Sequence, residues 1–283
     1  MSEDAGARRW WPAPGKLNLF LHVTGRRADG YHLLQTIFQF IEAGDRLRFY
    51  PRSDGEIHRV TCPHLPAEDL CVRAARVLQE ETGYRGGVDI ELEKNLPAGA
   101  GLGGGSSDAA TVLLVLNHLW RTGLSRSRMM TLGARLGADV PVFVAGQASW
   151  AEGIGEILTP VSPAEEIYCI AWPHIEAATA EIFADRELTR NSPNITIRGF
   201  LEGGSRNDLE AVTRRRYPEV DELLRWLQNF GDARMTGSGA AAFVAVPTIQ
   251  RGEEILRERP ANVSGFVTQA INRHPLMRLT PAF

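Results

Sequence analysis

Cysteine is scarce in this sequence. Cys62, Cys71 and Cys169 are the only three in 283 residues, an odd number with no CxxC pair. That argues against a disulfide framework and fits reduced thiols in a cytoplasmic protein. The seven histidines form no HExxH or related spacing, so no dedicated metal cluster is expected. No apolar run approaches the ~20 residues needed to span a bilayer. Arg8 and Arg9 lack the apolar core that an export signal would place after them, because Lys16 and Asn18 interrupt it. Residues 1–10 therefore read as a solvated, flexible tail. Charge of one sign is missing too. With 31 basic and 34 acidic side chains mixed along the chain, the formal net charge is -3. A broad basic face for nucleic acid or an anionic membrane is not expected, while a local basic pocket stays open. Repeats and low-complexity tracts are absent.

What remains is an ordinary globular composition, 43% hydrophobic and 23% charged, at a length that suggests about two domains. Leu17, Leu19, Leu21 and Val23 alternate with Lys16, Asn18, Phe20 and His22, which predicts a strand carrying a lysine and an asparagine on one face. The turn signal Arg26-Arg27-Ala28-Asp29-Gly30 follows. A second strand is expected over 33–41 and a separate third at 47–50. Helical spacing covers 67–82, and Val88, Ile90 and Leu92 alternate as a strand. Helices are predicted over 106–120 and 125–137. The later half reads as a hairpin over 150–161, strands at 168–172, 240–246 and 265–271, and helices at 219–229 and 249–258. Interleaved strands and helices predict an α+β protein.

The most informative stretch is Leu96-Pro97-Ala98-Gly99-Ala100-Gly101-Leu102-Gly103-Gly104-Gly105-Ser106-Ser107-Asp108. Its glycines let a backbone approach an anion with several N–H groups pointing inward. Ser106 or Ser107 is a plausible N-cap, and the free donors of the helix start complete a phosphate site. A flexible linker is the alternative, but the apolar helix that follows at once must be buried. No GxxxxGK[ST] occurs, which excludes a Walker A site. Gly99, Gly101 and Gly104 satisfy GxGxxG, but Lys94-Asn95-Leu96-Pro97 separates them from the strand. No acidic residue stands about 20 positions on, as a dinucleotide fold would require. The Val-Ala-Ile-Lys, His-Arg-Asp and Asp-Phe-Gly motifs of protein kinases are missing as well.

The glycine loop resembles the ATP loop of the GHMP kinases. Pro14-Gly15-Lys16-Leu17-Asn18-Leu19 and Met235-Thr236-Gly237-Ser238-Gly239-Ala240 are similar to the family's first and third motifs, in the expected order. Arg27-Ala28-Asp29-Gly30-Tyr31-His32, Gly137-Ala138-Asp139-Val140-Pro141-Val142-Phe143, Ala151-Glu152-Gly153-Ile154-Gly155-Glu156 and Arg190-Asn191-Ser192-Pro193 narrow the resemblance to one branch. That branch phosphorylates the 2-hydroxyl of a methylerythritol unit borne on cytidine diphosphate, in the non-mevalonate route to isoprenoid precursors. The resemblance implies a two-domain GHMP kinase fold. Residues 11–158 would be like ribosomal protein S5 domain 2, and residues 159–283 ferredoxin-like. It also implies ATP as phosphoryl donor, Mg²⁺, a cytoplasmic monomer or weak homodimer, and no nucleic-acid or membrane partner.

Carried onto this sequence, the resemblance makes Asp139 the proton acceptor and Lys16 its partner. A neighbouring ammonium favours an ionised carboxylate. From the residues alone, Asp139 would be a turn or capping residue, whereas a strand-end reading of Lys16 is disfavoured because its face carries Asn18 and then aromatic residues. ATP would contact Asp69, Lys94, Pro97, Ala98, Gly99, Ala100, Gly101, Leu102, Gly103, Gly104, Gly105, Ser106 and Ser107. Substrate would contact Asn18, Tyr31, His32, Phe38, Thr179, Phe183, Gly237, Ser238 and Gly239. Tyr31 and Phe183 would sandwich the cytosine while His32 bonds its edge. Lys94 lies near the nucleotide or is simply exposed, and Gly237-Ser238-Gly239 either closes over the phosphates or is a tight turn. Mg²⁺ would be held mostly by phosphate oxygens and water, with Ser107 a candidate ligand. The chain departs from the family twice: Gly15 stands where an alanine is usual, and Asp69 where an asparagine reaches adenine.

Overall fold

The computed structural model describes residues 9–201 and 206–278. The expected tail lies outside them as far as residue 8. Trp10, by contrast, packs under Arg48, whose guanidinium stands 4.2 Å from the ring centroid.

Trp11–Arg26 (β1) and His32–Arg52 (β2) form a long antiparallel pair. The strands expected at 33–41 and 47–50 are one continuous β2. Gly44, which reads as a break, lies opposite Pro14, and a side chain there would stand 2.4 Å from the Ala13 carbonyl oxygen. Glycine at this point lets the two strands pass closely, so the strand continues. Ile57–Arg59 (β3), helix Leu70–Thr82 (α1), Gly87–Glu93 (β4), and helices Gly104–Leu119 (α2), Arg126–Ala134 (α3) and Val140–Ala145 (α4) follow. A hairpin of Ser149–Glu152 (β5) and Ile157–Pro160 (β6) comes next.

After residues 161–166 come strand Ile167–Pro173 (β7) and helices Thr179–Ala184 (α5), Ile197–Leu201 (α6), Glu210–Arg216 (α7) and Pro218–Leu227 (α8). Arg234–Met235 (β8), Ala242–Val246 (β9), helix Ile249–Arg257 (α9) and Val263–Ile271 (β10) complete the set, before a short 3₁₀ turn at Pro275–Arg278. Short helices α4 to α7 carry too few turns for an apolar period to show.

The fold is α+β. The strands run β3-β4-β2-β10-β7-β9-β8 in one sheet, with β1 on β2 and β5 bridging β2 to β6. Two larger packed clusters and a smaller third one, with Leu17, Phe20, Ile41, Trp150 and Ile170, lie along it. The first buries Phe40, Phe49, Leu113 and Phe143 under α1 to α4. The second buries Cys169, Val220, Leu223, Leu224 and Val244 under α8 and α9. Each such apolar side chain contributes roughly 1.5–3 kcal/mol of transfer free energy. The first cluster meets the smaller third one where Ala270 and Ile271 of β10 pair with Ile41 and Phe40 of β2. Beyond β10 the chain returns to the first cluster: Leu276 is buried in it, and His274 sits edge-on to Phe40. We propose 161–166 as the link between the units; a division at 158/159 would cut through β6.

Candidate active site

A cleft of about 1140 Å³ opens between the two clusters. Its floor is β1. Strand irregularities between Pro14 and Lys16 and between Asn18 and Leu21 shift the pairing there, as bulges do where a side chain must be re-aimed. The Lys16 ammonium donates to Asn18 Oδ1 at 2.5 Å and to the Gly101 carbonyl at 2.9 Å. It stands 3.5 Å from Asp139 Oδ2, with its side chain only 4% exposed. Asn18 Nδ2 in turn donates to Thr36 Oγ1 at 2.9 Å. Both amide atoms of Asn18 are thus engaged, and what it does first is hold Lys16.

Asp139 precedes α4, with Pro141 in the first turn, so Val140-Pro141 opens a helix. Proline is preorganised for that position. The Asp139 carboxylate makes no capping bond to α4 and is 34% exposed in the cleft. The capping role that the bare sequence favours for it is therefore not the one the structure gives it.

The glycine loop forms the next wall. Gly99, Gly101 and Gly103 take left-handed φ of 65°, 78° and 71°. At Gly101 a Cβ would fall 2.3 Å from the Thr236 carbonyl oxygen, so only glycine lets the second motif touch the third. Helix α2 starts at Gly104 with Gly103 at its N-cap, three or four residues before the expected Ser106 or Ser107 cap. No side chain caps it. The amide of Ser107 is bonded to Gly103 O, which leaves the first-turn amides of Gly104, Gly105 and Ser106 as the donors an anion would find. Ser107 Oγ is buried without a partner.

Under this helix start lies a cluster the sequence reading missed. Lys94 is neither exposed nor free: its ammonium bonds Asp45 Oδ2 and, at 2.9 Å, Asp108 Oδ2. Burial lowers its proton affinity, but Asp108 and Asp45 outweigh that and push it up to about 12. Asp45 Oδ1 also accepts from the amides of Asn95 and Leu96, at 2.6 and 2.8 Å, which fixes the chain entering the loop. Burial pushes the Asp108 carboxyl up to about 8; Lys94 opposes this and Asp45 adds to it. One ammonium does not offset two buried carboxylates. The adjacency of Asp108 to Ser107 was the available signal, but nothing in the sequence announces Asp45.

Asp69 lines the cleft, yet both its oxygens are taken. Oδ1 caps α1 through the Val72 amide at 3.0 Å, and Oδ2 pairs with the buried Arg59. Arg59 also donates to carbonyls of residues 61, 62, 65 and 66. The adenine contact expected of Asp69 would have to compete with these bonds.

From the second cluster, Gly237 and Ser238 reach the cleft. Asn207, another residue not foreseen, holds this turn by donating to Met235 O at 2.9 Å and Gly237 O at 2.8 Å. The turn is therefore both tight and a cleft wall. Gly239 points away from the cleft, against the Met235 sulfur. Thr179 Oγ1 lies 2.7 Å from Ser238 Oγ and ties α5 to the turn. Phe183 on α5 packs against His32, with ring centroids 5.1 Å apart, while Tyr31 is 61% exposed. Phe38 lies below Lys16, its centroid 5.5 Å from the ammonium. Of all the residues expected at the site, only Ser107 and Gly239 do not line this cleft.

The family profile described as GHMP kinases N terminal domain matches residues 69–147, and that described as GHMP kinases C terminal matches residues 188–264. A 4-diphosphocytidyl-2-C-methyl-D-erythritol kinase of Halorhodospira halophila is 53% identical over 273 residues, covering 94% of this chain and 94% of the relative. The chain belongs to this family of GHMP kinases. A second member, from Dechloromonas aromatica, is 52% identical over 95% of this chain and 100% of its own length. The solved structure of a 4-(cytidine 5'-diphospho)-2C-methyl-D-erythritol kinase superposes with a TM-score of 0.83 at 33% identity, covering 93% of this chain and 99% of that one. The mevalonate kinase of Methanococcus jannaschii shares the fold, with a TM-score of 0.71 at 16% identity and 94% and 99% coverage.

As a GHMP kinase, the chain uses ATP as its phosphoryl donor. Among the described residues no group of three or more His, Cys, Asp or Glu side chains is placed to hold a metal ion. No helix among them is long and apolar enough to cross a membrane. At Gly15, the first departure from the family, a Cβ would meet Ile41 and Leu96 side chains at 3.0 and 3.2 Å. Those side chains fill the space where the family's usual alanine methyl would sit.

Proposed function

We propose that this kinase transfers the γ-phosphoryl group of ATP to the 2-hydroxyl of 4-diphosphocytidyl-2-C-methyl-D-erythritol, a step in making isoprenoid precursors. The observation that carries the mechanism is the Lys16–Asp139 pair, 3.5 Å apart in the cleft beside the glycine loop. The loop and first-turn amides of α2 receive the phosphates. Lys16, held by Asn18 and Gly101 O, balances charge at the γ-phosphate. Asp139 Oδ2 accepts the proton as the substrate oxygen bonds phosphorus and the bond to the β-phosphate oxygen breaks, releasing ADP. Such transfer depends on positioning and charge neutralisation more than on covalent chemistry.

Mg²⁺ belongs to this proposal. The ion would arrive on the nucleotide, and the orphaned Ser107 Oγ is the protein atom suited to complete its shell. When bound, the ion neutralises phosphate charge. Tyr31, His32 and Phe183 are assigned to the cytosine, Thr179 and Ser238 to the rest of the substrate. A cytoplasmic monomer or weak homodimer suits a small-molecule kinase of this kind.

The test is ADP release measured with the cytidine-bearing substrate, with free methylerythritol, with mevalonate and with homoserine. Turnover of the first alone is expected. Equal turnover of free methylerythritol would remove cytidine recognition, and turnover of mevalonate or homoserine would move the chain elsewhere among the GHMP kinases.

A further inference from the structure

Arg190 has no assigned role, yet it makes more directed bonds than any other side chain near the base-reading end of the cleft. One guanidinium nitrogen donates to the carbonyls of Phe183 at 2.9 Å and Asp185 at 2.6 Å. Another donates to Leu188 O at 3.2 Å. These bonds fix the arginine in the turn that follows α5. The Nε–H then points at His32, and lies 3.1 Å from His32 Nε2. Phe183, whose carbonyl Arg190 holds, stacks on the same imidazole.

An arginine has only donors, so the nitrogen it addresses must be a bare acceptor. In a neutral imidazole the proton then sits on the other nitrogen. We infer that Arg190 is a positioning residue that fixes His32 as the neutral Nδ1–H tautomer, so that the ring offers a hydrogen-bond donor to the pyrimidine. This rests on the cytidine-bearing substrate proposed above. Cytosine has an unprotonated N3 and a carbonyl at position 2, both acceptors; uracil carries a proton on N3. A donor locked onto N3 therefore favours cytosine over uracil. The alternative tautomer, with Nδ1 bare, would face cytosine acceptor to acceptor.

The surroundings also keep the ring neutral. Burial is the largest influence lowering the affinity of His32 for a second proton, followed by the charges of Arg190 and of Arg26 at the end of β1. No carboxylate contributes to the shift. A doubly protonated ring would lose its acceptor for Arg190 and face two guanidinium groups.

Nitrogen NMR on the free enzyme tests the tautomer without any substrate. The expected spectrum has a protonated Nδ1 and an unprotonated Nε2 for His32 near neutral pH. A protonated Nε2 would overturn the inference in the wild-type protein alone, whether or not any variant folds. Kinetics test the consequence. Arg190→Leu should release the tautomer, raise KM for the cytidine-bearing substrate about tenfold with kcat largely kept, and narrow the preference over a uridine-bearing analogue. His32→Asn keeps a donor near the Nδ1 position but has no atom for Arg190. Adding Arg190→Leu to His32→Asn should therefore raise KM little further, the non-additivity of residues that act through one another. Full additivity would make Arg190 a structural residue only and overturn the inference. If the wild-type protein fails to turn over the cytidine-bearing substrate, the proposed function falls while the nitrogen spectrum still decides the tautomer.

Discussion

Lys16 shows how much one side chain is asked to do here: it bonds Asn18 and Gly101 O and lies 3.5 Å from Asp139. Asp139 has no other role in the fold, since it does not cap α4. Asp139→Asn should therefore fold and bind ATP as the wild type does, while turnover drops about 10²–10⁴-fold, the usual range for a general base. Thermal melting, calorimetry with a nonhydrolysable ATP analogue and steady-state rates check this, and near-wild-type turnover would remove Asp139 as the base. Asp69 leads to a different expectation. Its sequence position suggests that Asp69→Asn would tighten ATP binding, but the carboxylate is committed to Arg59 and to the α1 cap. An asparagine keeps the cap and loses the charge on a buried arginine. We expect a stability loss of roughly 2 kcal/mol and an unchanged preference for ATP over GTP. Melting curves together with nucleotide titrations separate the two views.

At the scale of elements, the glycine loop and α2 behave as one unit resting on Lys94, Asp45 and Asp108. Gly101→Ala should lower the melting temperature and ATP affinity together, because its methyl would enter the Thr236 carbonyl. Gly105→Ala, whose Cβ would meet only Leu70 Cδ1 at 3.5 Å, should leave the melting temperature unchanged. Equal stability of the two variants would mean that loop and third motif are not in contact. The carboxylate cluster makes a pH prediction. Unfolded, Asp108 titrates near 3.8; folded, it keeps its proton to about 8. Between those values the folded state binds the extra proton, so this group's contribution falls as pH rises and levels off beyond about 8. Lys94, pushed up from 10.5 to about 12, acts only on the far alkaline side. Asp108→Asn should therefore flatten the decline in melting temperature between about pH 5 and about pH 8. A decline as steep as in the wild type would show that Asp108 is ionised throughout.

Across the whole molecule, the cleft takes the aromatics proposed to read the base from both units: Tyr31 beside β2 and Phe183 from α5. In the free protein Phe183 rests on His32 and Tyr31 is exposed. A base that stacks on them should be worth roughly 1–3 kcal/mol per ring contact. Tyr31→Ala and Phe183→Ala should each raise the substrate KM by about one to two decades, with little change in melting temperature or in KM for ATP. Steady-state kinetics with each substrate varied in turn measures this. A rise in KM for ATP instead would place these rings on the nucleotide side.

Much of this was legible in the linear sequence. The alternation of β1 and the helical spacing of α1 and α8 are local, and local rules place them. The three motifs, with Lys16 in the first, and the segment 137–143, with Asp139 in it, identify the family because each is written in consecutive residues. What the sequence could not place depends on contacts between distant segments. That β2 runs on through Gly44 follows from the backbone of β1 lying against it. That Lys94 is buried follows from Asp45, 49 positions away, and Asp108, 14 positions away. Asp139 turns from cap to cleft residue because Lys16, on the first strand, sits opposite it. Arg190 meets His32 across 158 positions. Hydrophobic period and turn chemistry act over a few residues and are settled by the chain itself. The partners of a buried charge or an imidazole nitrogen are settled only when the sheet brings its two halves together.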